Sequence, residues 1–124
     1  RRKTEASDNG MTKSNNTTFK NFLKILEENH HRPENVEFYA EKLFMSARNL
    51  NTICQQVMEK SVTEIIELRK LIEAKNLLTY TDKTISEIGF ELGYNEKAYF
   101  TNVFKKRTGH TPGEFREDMR KLVS

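Results

Sequence analysis

The chain has 124 residues, with 21 Lys and Arg against 18 Asp and Glu for a formal charge of +3, and one cysteine, Cys54. That length fits one domain-sized unit or two very small ones. The lone cysteine excludes an internal disulfide and a cysteine-based zinc site, and no apolar run reaches the ~20 residues of a membrane helix or forms a signal-peptide core. A soluble, cytoplasmic protein with no membrane association is therefore expected. The charge excess is mild, so only the placement of the cations can point to a partner.

Residues Arg1 to Asn16 hold no periodic apolar residues and are rich in Ser, Thr, Asn and charge, the composition of a flexible linker or tail over residues 1–17. Because the sequence opens on "RRKTEASDNG" and not on methionine, it is expected to be a piece of something longer. From Thr18 onward Phe19, Phe22, Leu23, Ile25 and Leu26 recur at helical spacing, and Pro33 in "ENHHRPEN" ends that helix.

"NVEFYAEKLFMSARNLNTICQQVMEK" then contains two short helical patterns broken at Met45-Ser46. Val36, Tyr39, Ala40 and Leu43 share one apolar face; Leu50, Ile53, Cys54 and Val57 share the other. Ser46 can cap the second helix, so residues 35–60 form a helix-turn-helix candidate. Cys54 on this face reads as a small buried apolar residue.

From Ser61 to Thr81 there is neither Gly nor Pro, and Ser61-x-x-Glu64 is a capping box. Ile65, Ile66, Leu68, Leu71, Ile72, Leu77 and Leu78 complete one linker helix over about 62–80, roughly 27–30 Å long at 1.5 Å per residue. A second box, Thr84-x-x-Glu87, opens a short helix with Ile85, Ile88, Gly89 and Leu92, closed by Gly93. Asn95 is placed to cap "EKAYFTNVFKKRT", with Phe100, Val103 and Phe104 facing inward, which gives a second helix-turn-helix over about 84–108.

"FKKRTGHTPGEF" resembles a phosphate cradle but resolves into helix punctuation. Gly109 suits a left-handed stop, Thr111 and Glu114 form a third capping box, and Pro112 suits the first position of a final helix over about 112–122.

The second helix pair repeats the first. Ala40, Leu43, Ser46 and Arg48 correspond to Gly89, Leu92, Asn95 and Lys97 at an offset of 49 residues; after one inserted residue, Leu50, Ile53, Cys54, Ser61 and Glu64 correspond to Phe100, Val103, Phe104, Thr111 and Glu114 at an offset of 50. Second helices of two such pairs could enter major-groove segments one turn, roughly 34–36 Å, apart. Lys97, Thr101, Asn102 and the basic triplet Lys105-Lys106-Arg107 share the polar side of one, the triplet able to face phosphate; Arg48, Asn51, Thr52, Gln55 and Gln56 share that of the other. Lys and Arg can hold phosphates, Arg suits guanine, and Asn or Gln suits adenine. An ordinary solvated helix face has a similar composition, and cations at a helix C-terminus are favoured by its dipole without any ligand.

The three histidines do not form a catalytic or metal constellation: His30 and His31 are adjacent, His110 stands alone, and no H-E-x-x-H, nucleophile elbow, Walker loop or dinucleotide fingerprint occurs. No catalytic residue, metal or cofactor is expected.

"TISEIGFELGYNEKAYFTNVFKKRTGHTPGEFR" closely resembles the second half of the DNA-binding domain of AraC/XylS-type transcription regulators. The anchors of that pattern are Ile85, Ile88, Gly93, Tyr94, Tyr99, Phe100, Phe104, Lys105, Lys106, Gly109, Thr111, Pro112, Phe115 and Arg116. Weaker similarity reaches back through "EAKNLL" and "MSARNL" to about Thr18. The resemblance implies an all-α fold of about seven helices, two helix-turn-helix units joined by a linker helix within residues 18–124, and an upstream sensing or dimerisation domain absent from this chain. It implies sequence-specific binding of double-stranded promoter DNA, usually to activate bacterial transcription through RNA polymerase. Base contacts carried over by alignment are Arg48, Asn51 and Thr52, and Lys97, Ala98, Thr101 and Asn102; phosphate contacts are assigned to Gln55, Gln56, Lys105 and Lys106. The first half departs from the pattern, with Glu59 where glycine is common, Val62 for proline, Cys54 for a large aromatic, and Thr52 and Gln55 where a cation is frequent. Arg48 is then the one cation of the first reading face, and weaker phosphate anchoring is expected there. A competing expectation is a helical protein-interaction module with a basic docking face.

Overall fold

The computed structural model describes the backbone of residues 2–123 and side chains from Ser14 to Val123. Among the described residues there are seven helices and no strand: α1 (Arg2–Asn29), α2 (Val36–Lys42), α3 (Ala47–Met58), α4 (Val62–Tyr80), α5 (Ile85–Glu91), α6 (Lys97–Thr108) and α7 (Pro112–Val123). The chain divides into two units. The first holds the residues up to Asn29 with Glu34–Ile66, and the second holds His30–Pro33 with the residues from Glu67 onward.

In the first unit Phe19, Phe22 and Leu26 of α1 meet Tyr39 and Ala40 of α2, Leu50 and Cys54 of α3, and Val62, Ile65 and Ile66 of α4 in one core. The Tyr39 ring stands edge-on to Phe22 at 5.5 Å, a geometry favoured by the ring quadrupoles. Leu23, which shares the apolar spacing of α1, is 40% exposed; the buried stripe follows Phe19, Phe22 and Leu26. Burial pushes the Cys54 thiol up to about 11, so it stays protonated and inert at neutral pH. α1 also runs through the stretch expected to be a flexible tail. That stretch has no proline to stop the helix, and Asn15 is tied by its side chain to Gln56 of α3. The side chains before Ser14 lie outside the described residues.

In the second unit Ala74 and Leu78 of α4 pack with Ile88, Leu92, Phe100 and Phe104. A run of rings links Tyr94 to Phe100 at 5.5 Å, Phe100 to Phe104 at 6.0 Å and Phe104 to Phe115 at 5.5 Å. Within this core Lys70 is 6% exposed. Its ammonium donates to the carbonyls of His30 at 2.6 Å, Arg32 at 2.9 Å and Leu92, and lies 5.5 Å from the centre of the Tyr94 ring. A buried charge persists only when its protons are bonded. The same approach explains Gly93: at φ +92°, an added Cβ would sit 2.6 Å from the Arg32 carbonyl carbon. At the other end of the unit Arg116 donates to the carbonyls of Leu78 at 3.0 Å and Thr81 at 3.2 Å, and Arg120 to Thr81 at 2.8 Å, closing the C-terminus of α4.

The helix ends follow the sequence signals closely. Ser61 and Glu64, Thr84 and Glu87, and Thr111 and Glu114 each exchange side-chain-to-amide bonds of 2.7–3.1 Å, and Ser46 accepts from the Asn49 amide at 3.1 Å. One cap differs. α6 is preceded by Glu96, which makes no side-chain cap bond, not by a capping Asn95. The extra residue of the second repeat therefore lies inside its turn. From α3 and α6 onward the repeats align at an offset of 50, so Arg48 corresponds to Ala98 and not to Lys97.

The backbone repeats more faithfully than the side chains. Phe44 (φ 58°) and Glu59 (φ 57°) are left-handed at the places held in the second repeat by Gly93 and Gly109. The core exchanges volume in the same way, Ala40 and Leu50 becoming Gly89 and Phe100, and a Cβ at Gly89 would lie 3.0 Å from the Phe100 ring. Left-handed strain at a non-glycine residue costs on the order of 1 kcal/mol, so Glu59→Gly is expected to raise unfolding stability by about that amount, read by denaturant titration. Glu87 and Glu114 are held below the ordinary carboxylate range, first by the backbone amides of Thr84 and Thr111. A lowered folded-state pKa gives stability that is complete above the ordinary glutamate range and is lost as pH falls through the folded value. The Glu87→Gln/Glu114→Gln variant should accordingly show a shallower loss of stability on acidification than the wild-type chain in an acid titration followed by circular dichroism.

Candidate nucleic-acid interface

α3 and α6 are the second helices of the two repeats, each 12 residues long and each ended by a left-handed residue. Core packing decides which side each presents. Leu50 and Cys54 turn α3 inward, and Phe100 and Phe104 turn α6 inward. Of the candidate side chains, Arg48, Thr52, Gln55 and Gln56 are exposed on α3, with Asn51 half-buried; on α6 Lys97, Ala98, Asn102, Lys105 and Lys106 are exposed, with Thr101 half-buried.

These side chains are not equally available. On α3 the Thr52 hydroxyl donates to the Arg48 carbonyl at 3.0 Å, Gln56 Oε1 accepts from Asn15 Nδ2 at 2.5 Å, and Asn51 Oδ1 accepts from the Val62 amide at 2.9 Å. Arg48 and Gln55 have no such tie among the described residues. On α6, Lys97, Thr101, Asn102, Lys105 and Lys106 make no side-chain hydrogen bond or ion pair among the described residues. The last turn of α6 carries Lys105, Lys106 and Arg107, whereas that of α3 carries no cation. Arg107 is not part of the open face: its guanidinium pairs with Glu67 at 2.5 Å, with both side chains about three-quarters buried. Beside this pair burial drives the Tyr94 hydroxyl well above the ordinary tyrosine range, with Glu67 adding to the effect.

The structure thus presents the exposed candidates of each helix on a single side, and finds internal work for Asn51, Thr52 and Gln56. Asn15 is the participant that sequence reasoning missed; it lies outside any apolar period, and its bond to Gln56 spans 41 residues. His30 and His31 follow the end of α1 with their rings 4.2 Å apart, and His110 is exposed in the α6–α7 turn. No cluster of three or more potential metal ligands occurs among the described residues, and no helix there is long and apolar enough to cross a membrane.

Residues 39–118 match the model of a helix-turn-helix domain family. An uncharacterized HTH-type transcriptional regulator of Pseudoalteromonas carrageenovora is 32% identical over 107 residues, 86% of this chain and 63% of that protein. The arabinose operon regulatory protein of Escherichia coli is 33% identical over 68% of this chain, which spans only 29% of that protein. The probable transcription factor PqrA of Proteus vulgaris is 33% identical over 77% of this chain and 80% of its own length. Among solved structures, the C-terminal domain of the response regulator AraT from Geobacillus stearothermophilus superposes with a TM-score of 0.79 at 24% identity, covering 82% of this chain and 84% of that one. The DNA-binding domain of AdpA, solved with a target DNA, gives 0.77 at 19% identity, covering 82% and 92%; these two likenesses bear on the fold. With the family model spanning both helix pairs and a relative matched over most of its length, the chain belongs to the AraC-type helix-turn-helix family of DNA-binding transcription regulators, a family of regulators and not of enzymes.

Proposed function

We propose that the chain reads double-stranded promoter DNA with α3 and α6 in adjacent major-groove segments, and that in the cytoplasm it activates transcription through RNA polymerase. The observation that carries this reading is a repeated exposed polar face on the second helix of each pair, with Arg48 on one and Lys97, Asn102, Lys105 and Lys106 on the other making no side-chain hydrogen bond or ion pair among the described residues. Unpaired cations suit phosphates, whose neutralisation releases counterions; an unpaired Asn or Arg suits base edges. Because the cations cluster on α6, most phosphate anchoring is assigned to Lys105 and Lys106, with Gln55 and Gln56 in the weaker positions of α3. Base contacts are assigned to Arg48 and Thr52 of α3 and to Lys97, Ala98, Thr101 and Asn102 of α6. The short share of the arabinose regulator covered by this chain supports a longer parent protein, in which residues 1–17 would join the DNA-binding domain of 18–124 to a sensing or dimerisation domain.

The test is fluorescence anisotropy against duplex DNA over a salt series. Lys105→Ala or Lys106→Ala should weaken binding to every duplex and reduce the magnitude of the log–log salt slope by about 1. Arg48→Ala or Asn102→Ala should instead relax preference at particular base pairs by roughly 1–3 kcal/mol. Binding that ignores salt, or that does not distinguish a selected duplex from a random one, would sink the proposal.

A further inference from the structure

Val62 is the first residue of α4 and is fully buried, so its amide is one of the helix-start donors with no carbonyl of its own to bond. The Ser61–Glu64 box serves the amides of Ser61 and Glu64 and leaves that of Val62. Asn51, from α3, supplies the missing acceptor at 2.9 Å. The second repeat keeps the box at Thr111 and Glu114 but has Pro112 in the place of Val62 and Thr101 in the place of Asn51. Proline has no N–H to satisfy. Where the donor disappears, so does the carboxamide that serves it.

Reading adenine with asparagine needs both ends of the carboxamide, Oδ1 accepting from N6 and Nδ2 donating to N7. In α3 the oxygen is turned to the Val62 amide. We infer that Asn51 is a positioning residue that fastens α3 to the start of α4, and that base reading by α3 falls to its exposed neighbours Arg48 and Thr52. The inference rests on the proposed DNA-reading function and narrows the set of residues that performs it.

The test is a double-mutant cycle on the whole chain with Asn51→Thr, Val62→Pro and the pair together, the pair being the second repeat's own combination. Thermal unfolding is read alongside base preference on single-base variants of a duplex enriched by the wild-type chain from a random library. Asn51→Thr should lower the unfolding midpoint by roughly 4–8 °C, the pair should recover most of that loss, and the order of base preferences should be the same throughout. Asn51→Asp, which keeps the acceptor and loses the donor, should hold the wild-type midpoint, and it decides the stability arm if Val62→Pro perturbs packing by itself. A changed preference at one base pair with the midpoint unmoved by Asn51→Thr would overturn the inference, as would an Asn51→Asp loss as large as that of Asn51→Thr. The unfolding arm needs no DNA, so absence of DNA binding by the wild-type chain would count against the proposed function and leave Asn51 to be decided by stability.

Discussion

The constraint on which everything else here depends is the satisfaction of helix ends. A fold of short helices exposes many terminal amides and carbonyls for its size, and those that fall in or near a core need partners. α2 and α5 are seven residues each, so most of their backbone polar groups are end groups. The Ser/Thr-x-x-Glu boxes, the left-handed residues after α3 and α6 and the arginines at the end of α4 satisfy them. They also fix the residue at which each helix begins, and so the side that α3 and α6 turn outward.

Local devices of this kind are readable from sequence because donor and acceptor lie three or four residues apart. The three capping boxes, the Ser46 cap and the Gly109 stop could all be placed that way, and apolar spacing marked Phe100 and Phe104 as inward-facing. What could not be read involves partners far apart in the chain. Nothing local announces that Lys70 reaches the carbonyls of His30 and Arg32, that Arg107 pairs with Glu67 or that Asn51 serves Val62. These long-range bonds alter the candidate site most, since they withdraw Asn51 and Arg107 from the open surface. The misplaced cap at Asn95 has a different cause: a one-residue insertion can be absorbed anywhere in a turn, and side-chain similarity alone put it a few residues too late, inside α6.

The two repeats show how one backbone plan accommodates different residues. Glycine at both left-handed positions of the second repeat removes strain, whereas Phe44 and Glu59 accept it in the first. Ala40 with Leu50 and Gly89 with Phe100 fill comparable places by trading bulk between helices. Val62 with Asn51 and Pro112 with Thr101 solve the same helix start by supplying an acceptor or deleting the donor. In each case the substitution at one position makes sense only beside its partner, which is why single-position comparison understates how alike the repeats are.

The Lys70 cage has a consequence for how this protein can be taken apart. Residues His30–Pro33 belong to the second unit although they lie between α1 and α2 of the first. The two units therefore interleave along the sequence, and a polypeptide cut at the boundary in α4 would keep the ammonium but discard the His30 and Arg32 carbonyls that bond its protons. A cut that respects the repeat is not one that respects the packing: the second unit takes four residues from within the first.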